Sequence, residues 1–480
     1  MLETINQILG IATPFAVLAA GIFFAFFLRG LPFRRARASV KALIHRDRNG
    51  ASALRSLALA LAGTLGVGNI VGVSSAIALG GFGAIFWMWV SAIAAMFLKY
   101  AEVVLALRHR EGLPGGAYRG GAPYYIRVCL SRLFSPRIGI IAAGVFAVLC
   151  IANAIMMGCV IQSNAVTSAA KSAFGIPPLL CGAALALLCF FLLIRGSRAV
   201  TAVTSVLVPL MSIAFLILSL AILCLRRDAI LGALTDIFED AFRLQSAGGG
   251  ILGFFLSRGL RFGTIRGIIS NEAGCGTSPT AHAEANTKSP VEQGLFGIVE
   301  VFVDTILLCT VTALVVIIHY DSVAHLAADP MSMTLAAYTA PFGAVGASLV
   351  TRLLAIAIFC FGFATMLCWS HYGHQSLLFI YNLRKGNRKP PRLLFSVCFC
   401  IAAILGAVSA PNILWSLTDL VTGIMTLLNT FALCLSCHQI RRATFDYFGA
   451  KEKRRSRGRI RFPTTRSPMQ DGAFITSRRP

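Results

Sequence analysis

Charged residues are scarce in this chain. Asp, Glu, Lys and Arg make up 13% of its 480 residues, whereas 57% are hydrophobic and the mean hydropathy is +0.77. Such a chain has little aqueous surface to cover, which excludes an ordinary soluble domain. Its long apolar runs predict an all-α polytopic membrane protein.

The chain also lacks the residue sets that catalysis requires. No nucleophile with a base and no metal-ligand cluster stands out, which argues against an enzyme and leaves no cofactor to expect. The fourteen cysteines are scattered mostly through apolar spans and give no disulfide framework. Cys434 to His438 match the C-x-x-C-H pattern of haem attachment, but they lie at a predicted cytoplasmic helix end. We therefore assign no haem there, and we interpret His371 and His374 as interfacial polar residues.

Eleven apolar spans are long enough to be membrane helices in a window of about 19 residues. They lie near 9–29, 56–79, 82–107, 138–168, 179–195, 198–225, 248–270, 293–319, 345–370, 393–410 and 412–437. We therefore predict about eleven transmembrane helices.

The placement of lysine and arginine predicts the orientation. The first connection carries eight of them between Arg29 and Arg55, whereas the next connection, 79–83, carries none. Because positive residues favour the cytoplasmic side, the N-terminus is expected outside and the C-terminus inside. The short loops favour a bacterial plasma membrane.

The C-terminal tail contributes much of the net charge of +24. Residues 441–480 hold twelve Lys or Arg and three acids, which gives +9, and most of this charge directly follows the last span. A juxtamembrane basic cluster binds anionic lipid headgroups, so we expect lipid and not nucleic acid as its partner. From Phe462 onward the composition predicts disorder.

The second span contains an interruption. Residues 61–76, LAGTLGVGNIVGVSSA, are apolar yet carry four glycines and the amide of Asn69. A broken helix frees backbone groups at bilayer depth, which is tolerated only where they are buried in protein or line a solvated site. The span is therefore a candidate site for a small polar solute and its ions.

The seventh span has a second run of glycines, from Gly248 to Gly276. Two interrupted helices in corresponding positions indicate an inverted-repeat secondary transporter. We expect a peripheral helix with its basic connection (1–55), two five-helix repeats (56–226 and 227–440) and the basic tail (441–480).

Several long motifs resemble the alanine or glycine:cation symporter family. They are GTLGVGNIVGVSSAIALGGFGAIFWMWVSAIAAMFLKYAEVVLALRHR, GGAPYYI, IQSNAV, RGIISNEAGCGTSPTAHA and FATMLCWSHYG, in the family's order. The resemblance covers residues 55–440. It implies a five-plus-five repeat like that of the leucine transporter, with one extra N-terminal helix, and Na⁺-driven uptake of alanine or glycine.

Small residues on the first interrupted helix predict where the solute approaches. Thr64, Gly68 and Gly72 are spaced i, i+4, i+8 and would share one face. Asn69 stands beside that face, where its carbonyl can ligate Na⁺ and its amide can donate to a carboxylate. Packing of Gly68 and Gly72 against a neighbouring helix is the alternative.

Other site residues follow from the resemblance. Gln162, Phe262, Thr365 and Trp369 match positions that line the substrate in the family. Thr365 and Trp369 are i and i+4, so a hydroxyl and an indole would meet the solute together. For each of Gln162 and Trp369 a purely structural role, as a satisfied interhelical amide or an interfacial anchor, remains the alternative.

Na⁺ is the coupling ion that the resemblance implies, and no other metal is expected. We place it at the first interruption, on oxygens of Leu65, Gly66, Asn69 and Thr365.

Charged and polar residues near the cytoplasmic end of the second interrupted helix predict a gate or a structural network. The set is Arg266, Asn271, Glu272 and Asp304. An unpaired acid at bilayer depth costs roughly 2.5–3.5 kcal/mol, so Asp304 and Glu300 should be paired. We expect the partners to be Arg258, Arg261 or Arg266; a role in carrying a coupling proton is the alternative.

The predicted mechanism is alternating access, in which Na⁺ and a small neutral amino acid such as alanine, glycine or D-alanine bind together at the interruptions. The freed N–H groups of a half-helix would receive the carboxylate. A proton-coupled symporter on the same scaffold is the first alternative, and an ion channel the second.

Overall fold

The computed structural model describes residues 2–35, 50–113, 117–242, 258–287, 289–385, 392–409 and 411–459. In this part the chain is helical apart from short connections and one antiparallel hairpin, in which Glu111–Gly112 pairs with Tyr118–Arg119. The helices of the first half are α1 (Leu2–Phe27), α2 (Gly50–Thr64), α3 (Val71–Gly80), α4 (Gly83–Arg108), α5 (Ala122–Leu133), α6 (Pro136–Ile155), α7 (Gln162–Phe174), α8 (Pro178–Arg195), α9 (Ser197–Leu225) and α10 (Ile230–Phe242).

The second half continues in the same style. Its helices are α11 (Arg258–Asn271), α12 (Pro279–Ala283), α13 (Pro290–Val301), α14 (Thr310–Ile318), α15 (Tyr320–Val323), α16 (Pro330–Thr339), α17 (Ala344–Lys385), α18 (Arg392–Val408), α19 (Pro411–Leu435) and α20 (Cys437–Arg459). Two π-helical segments, Met156–Ile161 and Phe302–Cys309, join α6 to α7 and α13 to α14.

Eight helices of the described chain are long and apolar enough to cross a membrane, and α2, α3 and α18 are shorter apolar helices. The protein is therefore a multi-pass membrane protein. Helix α17 extends past the ninth predicted span, 345–370, and continues to Lys385. Its polar residues there are buried against other parts of the protein, as His371 is against Glu284. The number of membrane helices and their arrangement as two repeats stay predictions.

The first interruption lies where the sequence predicts it. Helix α2 ends at Thr64, a 3₁₀ turn covers Val67–Asn69, and α3 begins at Val71. The expectation that Thr64, Gly68 and Gly72 share one helix face is wrong, because these residues belong to three different segments. The helical spacing on which that face depends is lost at the break.

Within the described residues, the second run of glycines breaks the helix only near the end of the run. The first part of the predicted span, 248–257, is outside the described residues, and α11 is continuous from Arg258 to Asn271. The chain then leaves the helix between Glu272 and Ser278, where Gly274 and Gly276 have φ of 82° and 78°. Those positive φ values are the reason glycine is needed there.

Glycines inside α11 serve close helix packing. A Cβ on Gly263 would lie 2.1 Å from the carbonyl oxygen of Ala84 on α4, and one on Gly267 would lie 2.7 Å from Ser91 Oγ. Small residues let two membrane helices approach backbone to backbone. The second interrupted helix is thereby held against α4.

The structure describes the basic C-terminal tail and the first basic connection only in part. Helix α20 extends the last span to Arg459 and contacts the body through Tyr100 and Thr444, whose hydroxyl oxygens are 2.8 Å apart. Residues 460–480, which hold the predicted disorder, lie outside the described residues, as do residues 36–49 of the first basic connection.

Candidate functional site

The first interruption is held open by side chains from two other helices. A Cβ on Gly66 would lie 2.9 Å from Thr365 Oγ1 and 3.2 Å from Gln162 Oε1. Only glycine leaves room for both groups at this point. The break therefore places backbone from α2, the hydroxyl of α17 and the amide of α7 together.

Helix α17 supplies two donors to the end of α2. Thr365 Oγ1 lies 3.0 Å from the carbonyl oxygen of Ala62 and 3.3 Å from that of Leu65. One turn further along, Trp369 Nε1 donates to the carbonyl oxygen of Gly63 at 3.3 Å. Thr365 and Trp369 are both buried, so these carbonyl groups, which an intact helix would satisfy, find partners inside the protein.

Gln162 begins α7 directly after the π-helical segment. Its Oε1 accepts from the backbone N–H of Val67 at 3.1 Å, and its Nε2 donates to the carbonyl oxygen of Met157 at 3.3 Å. The extra residue of a π turn changes which way later side chains point. Gln162 thus reaches the broken backbone beside Thr365, since both side chains lie within 3.2 Å of the same Cβ position at Gly66.

Asn69 joins the two interrupted helices. Its Oδ1 accepts from the N–H of Gly66 at 3.2 Å, which caps the 3₁₀ turn. Its Nδ2 donates to Asp304 Oδ1 at 2.7 Å and to Ser270 Oγ at 3.2 Å. Both ends of this amide therefore have protein partners, and a carboxylate and a serine hydroxyl are added to the site.

Asp304 is buried with three donors around its carboxylate. Besides Asn69, it accepts from Ser270 Oγ at 2.6 Å and from Thr305 Oγ1 at 2.7 Å. The expectation that an arginine pairs with Asp304 is wrong, because neutral donors surround it. Hydrogen bonds to a carboxylate are stronger than neutral ones and stabilise the ionised form.

Glu300 also has other partners than those expected. Its Oε2 lies 2.8 Å from His282 Nε2, and its Oε1 lies 3.5 Å from Lys99 Nζ. Lys99 Nζ donates to Ser278 Oγ at 2.6 Å, so the segment that follows Glu272 is fastened to α4 and α13. Sequence reasoning missed Lys99 and His282. A lysine inside the apolar span of α4 is the signal that could have identified this cluster.

Two of the predicted gate residues, Asn271 and Glu272, lie in a buried network next to Asp304, whereas Arg266 lies outside it. Asn271 Nδ2 donates to Thr305 Oγ1 at 3.1 Å, and Glu272 accepts from Thr277. Glu272 has φ of 53°, which marks the point where α11 ends. Arg266 lies one turn before this network, where its charge interacts with Asp419 of α19. These contacts tie the second break together.

Phe262 lies apart from the other predicted substrate residues. A Cβ on Gly80 would be 3.2 Å from Phe262 Cβ, and Gly80 is the last residue of α3. A ten-residue helix is about 15 Å long, so this contact is about that far from the first break. The ring also lies against the guanidinium of Arg261.

Open space adjoins the first break. A Cβ on Gly68 or Gly72 would meet no atom within 4 Å, although Gly72 is buried. Gly72 lies in the first turn of α3, whose N-cap, Ile70, provides no side-chain hydrogen bond to the helix. The first N–H groups of α3 are therefore available at the edge of this space.

This arrangement can bind a zwitterion and a cation side by side. Uncharged oxygens collect around Thr365 on one flank of the break, whereas helix N–H groups, which favour an anion, lie on the other. The structure places most of the predicted site residues at the break: Thr64, Leu65, Gly66, Gly68, Asn69, Gln162, Thr365 and Trp369. Asn271, Glu272 and Asp304 lie in the adjoining network. Phe262 and Arg266 lie further away.

Comparisons with known proteins agree with this architecture. The sodium:alanine symporter family matches residues 1–460. The sodium/alanine symporter AgcS of Methanococcus maripaludis is 34% identical over 393 residues, covering 80% of this chain and 81% of AgcS. The amino-acid carrier protein AlsT of Bacillus subtilis is 30% identical over 406 residues, covering 84% and 82%.

A solved structure is similar in fold. The substrate-bound, outward-open Na⁺-coupled sialic acid symporter has a TM-score of 0.54 and 14% identity, covering 89% of this chain and 86% of that chain. At that identity the match shows the fold alone. The family match and the two relatives decide the family: this chain belongs to the sodium:alanine symporter family.

Proposed function

We propose that this protein carries small neutral amino acids into the cell by Na⁺-coupled alternating access. Family membership supports a cation-coupled amino acid transporter rather than an enzyme. The choice of Na⁺ and of alanine or glycine is the part that we propose. A bacterial plasma membrane with anionic lipid at the basic tail is the setting we propose for it.

The oxygen cluster at Thr365 is the observation that carries the proposal. The carbonyl oxygens of Ala62 and Leu65 lie 3.0 Å and 3.3 Å from the hydroxyl oxygen of Thr365. These are uncharged, hard oxygen ligands, whereas protein sites for divalent ions draw on carboxylates. A monovalent cation would lie between these oxygens, with the Thr365 hydroxyl keeping its proton and turned so that its oxygen lone pair faces the ion. Leu65 and Thr365 are thereby retained as ion ligands.

The open space beside Gly68 and Gly72 supports a small solute. The start of α3 offers N–H groups for the α-carboxylate, since the N-terminus of a helix favours an anion. Gln162 and Trp369 bond to the backbone at the break, at the N–H of Val67 and the carbonyl oxygen of Gly63. A solute held between these groups completes the surroundings of the cation, so that each favours binding of the other.

Uptake of radiolabelled alanine into proteoliposomes tests the proposal. We expect accumulation with an inward Na⁺ gradient, none with K⁺, and competition by unlabelled glycine and D-alanine. Accumulation that follows a proton gradient in the absence of Na⁺ would contradict the choice of ion. A folded protein that accumulates neither alanine nor glycine would contradict the choice of solute.

Proton coupling is the second candidate, and the burial of Asp304 favours it. A carboxylate without a cationic partner at bilayer depth is typical of proton carriers. The three hydrogen-bond donors to the Asp304 carboxylate argue against proton coupling, because these bonds stabilise the ionised form over the protonated acid. If Asp304 carried the proton, Asp304→Asn would abolish proton-driven uptake while leaving exchange of alanine for alanine intact.

A further inference from the structure

A small cleft lies where the turn between α8 and α9 meets α17 and the start of α18. Gly196 and Ser197 line it from the turn, His371 and His374 from α17, and Arg392 from α18. Its empty space, including its open mouth, is about 290 Å³. None of these residues belongs to the solute site.

His374, which lines this cleft, has a buried polar atom without a partner in the part of the chain that the structure describes. Its side chain is only 8% exposed, and its Nε2 has no hydrogen-bond partner among the described residues. Leaving a buried polar atom without a hydrogen bond destabilises the folded protein. The atom therefore calls for an occupant of the cleft that can form a hydrogen bond with it.

Arg392 lies against the start of a long helix. A Cβ on Gly196, the N-cap of the 29-residue α9, would be 2.6 Å from Arg392 Nη1. The N-terminus of a helix carries positive partial charge, so a guanidinium there is repelled unless an anion lies between them. Within the described part of the chain, no carboxylate forms an ion pair with Arg392.

Further positive charge surrounds the cleft. His374 interacts electrostatically with Arg392, His371 and Arg119. Glu284 Oε1 lies 2.9 Å from His371 Nε2 and supplies negative charge beside that imidazole. The guanidinium, the imidazole Nε2 and the first N–H groups of α9 are thus left as donors without an anion.

We propose that this cleft binds a phosphate group. Arg392 would donate two hydrogen bonds to it, His374 Nε2 a third, and the first N–H groups of α9 the remainder, a donor set typical of phosphate sites. Next to the cleft, the lipid-facing sides of α8 and α18 expose Ile194, Leu393 and Leu394. A membrane phospholipid could lie along these side chains with its phosphate in the cleft, and free phosphate offers the same group.

The test titrates delipidated protein in neutral detergent with phosphatidylglycerol in mixed micelles, and separately with sodium phosphate at constant Na⁺ and ionic strength. Thermal unfolding reports binding, because a ligand of the folded state raises Tm. The variants are Arg392→Gln and His374→Gln. The control is Arg195→Gln, which removes an exposed charge from the same turn but does not line the cleft.

We expect saturable stabilisation by phosphatidylglycerol. Arg392→Gln should weaken it about tenfold, because charged hydrogen bonds are lost. Arg195→Gln should change it less than about twofold, as is typical of an exposed charge. His374→Gln replaces the imidazole with an amide that can still donate a hydrogen bond, so its loss of affinity should lie between those of the other two variants. This third variant keeps the test valid if one of the others folds poorly.

Each outcome decides the proposal. Stabilisation by the lipid alone supports a lipid phosphate, and equal stabilisation by sodium phosphate supports the free anion in the same site. An equal loss in Arg392→Gln and Arg195→Gln would show diffuse charge attraction and overturn the site. A Tm that neither ligand raises would overturn it as well.

Discussion

At the scale of single residues, Thr365 decides the ion. Thr365→Val keeps the shape of the side chain but removes the hydroxyl that faces the carbonyl oxygens of Ala62 and Leu65. With one oxygen ligand lost, we expect the Na⁺ concentration for half-maximal alanine uptake to rise about tenfold, which corresponds to about 1.4 kcal/mol. Na⁺ titrations of uptake in proteoliposomes measure this change.

Two controls accompany this prediction. Thr365→Ser keeps the hydroxyl and should retain Na⁺ dependence. Thr351→Val removes a hydroxyl from the same helix that bonds only to its own turn, at the carbonyl oxygen of Ala347. An unchanged Na⁺ response in Thr365→Val would remove Thr365 from the ion site.

Gly72 is expected to limit the size of the solute. Gly72→Ala adds a methyl group that would meet no atom within 4 Å, so the protein should fold normally while the open space shrinks. We expect alanine uptake to fall about tenfold more than glycine uptake, because one methyl group in a pocket is worth about 1–3 kcal/mol. The ratio of initial rates for the two amino acids is the measurement.

Gly144→Ala serves as the matched control for that variant. Its new methyl group also meets nothing within 4 Å, but it lies on α6 away from the break. A similar shift in the alanine to glycine ratio in both variants would contradict a pocket beside Gly72.

At the scale of helices, Gly263 and Gly259 form a matched pair on α11. Gly263→Ala would place its Cβ 2.1 Å from the backbone oxygen of Ala84, whereas Gly259→Ala would make only ordinary contacts of 3.4 Å or more. Overpacking of this kind costs about 1–3 kcal/mol, so Gly263→Ala should lower Tm by several degrees and Gly259→Ala should not. Equal Tm values for the two variants would mean that α11 is not held this closely against α4.

The same glycines show why one interruption could be predicted and the other could not. Around Gly66 the break coincides with glycines and an amide inside a single apolar span, a pattern that a smooth membrane helix would not have. In the second case, glycines that pack α11 against α4 precede Gly274 and Gly276, which break it. Both kinds of glycine look alike until the neighbouring backbone is known.

The π-helical segments were also beyond sequence reasoning. Asp304 lies in one of them, and Gln162 follows the other. A single extra residue in a helical turn has no marked composition, yet it rotates the side chains that follow. The sequence could identify Gln162 as a buried amide that needs partners, but not the N–H of Val67 as the partner.

At the scale of the whole molecule, pairing across helices was the least predictable feature. The acidic residues Glu300 and Asp304 were recognisable because buried acids need partners. Their partners come from four different segments: Lys99 on α4, His282 on α12, Asn69 at the first break and Ser270 on α11. Nearby arginines were the obvious choice in sequence, whereas the fold brings distant residues closer.

The orientation in the membrane yields the last prediction. The positions of the positive residues predict that the α5–α6 connection lies inside and the α9–α10 connection outside. Arg132 lies in the last turn of α5, next to the first connection, and Asp228 lies in the second, and both are exposed. In a background carrying Cys224→Ser and Cys398→Ser, which removes the exposed native thiols, a membrane-impermeant maleimide applied to intact cells should label Asp228→Cys and leave Arg132→Cys unlabelled.

Permeabilised cells provide the control, because there both introduced thiols should react and the background protein should not. If Arg132→Cys alone were labelled in intact cells, the predicted orientation would be wrong. The acidic stretch that includes Asp228 would then lie on the cytoplasmic side. Since the positive-inside bias rests on the many arginines around the α5–α6 connection and not on Asp228, we expect the orientation to survive neutralisation of that acid. The N-terminus would then lie outside and the basic tail that begins in helix α20 would lie in the cytoplasm, where anionic lipid is expected.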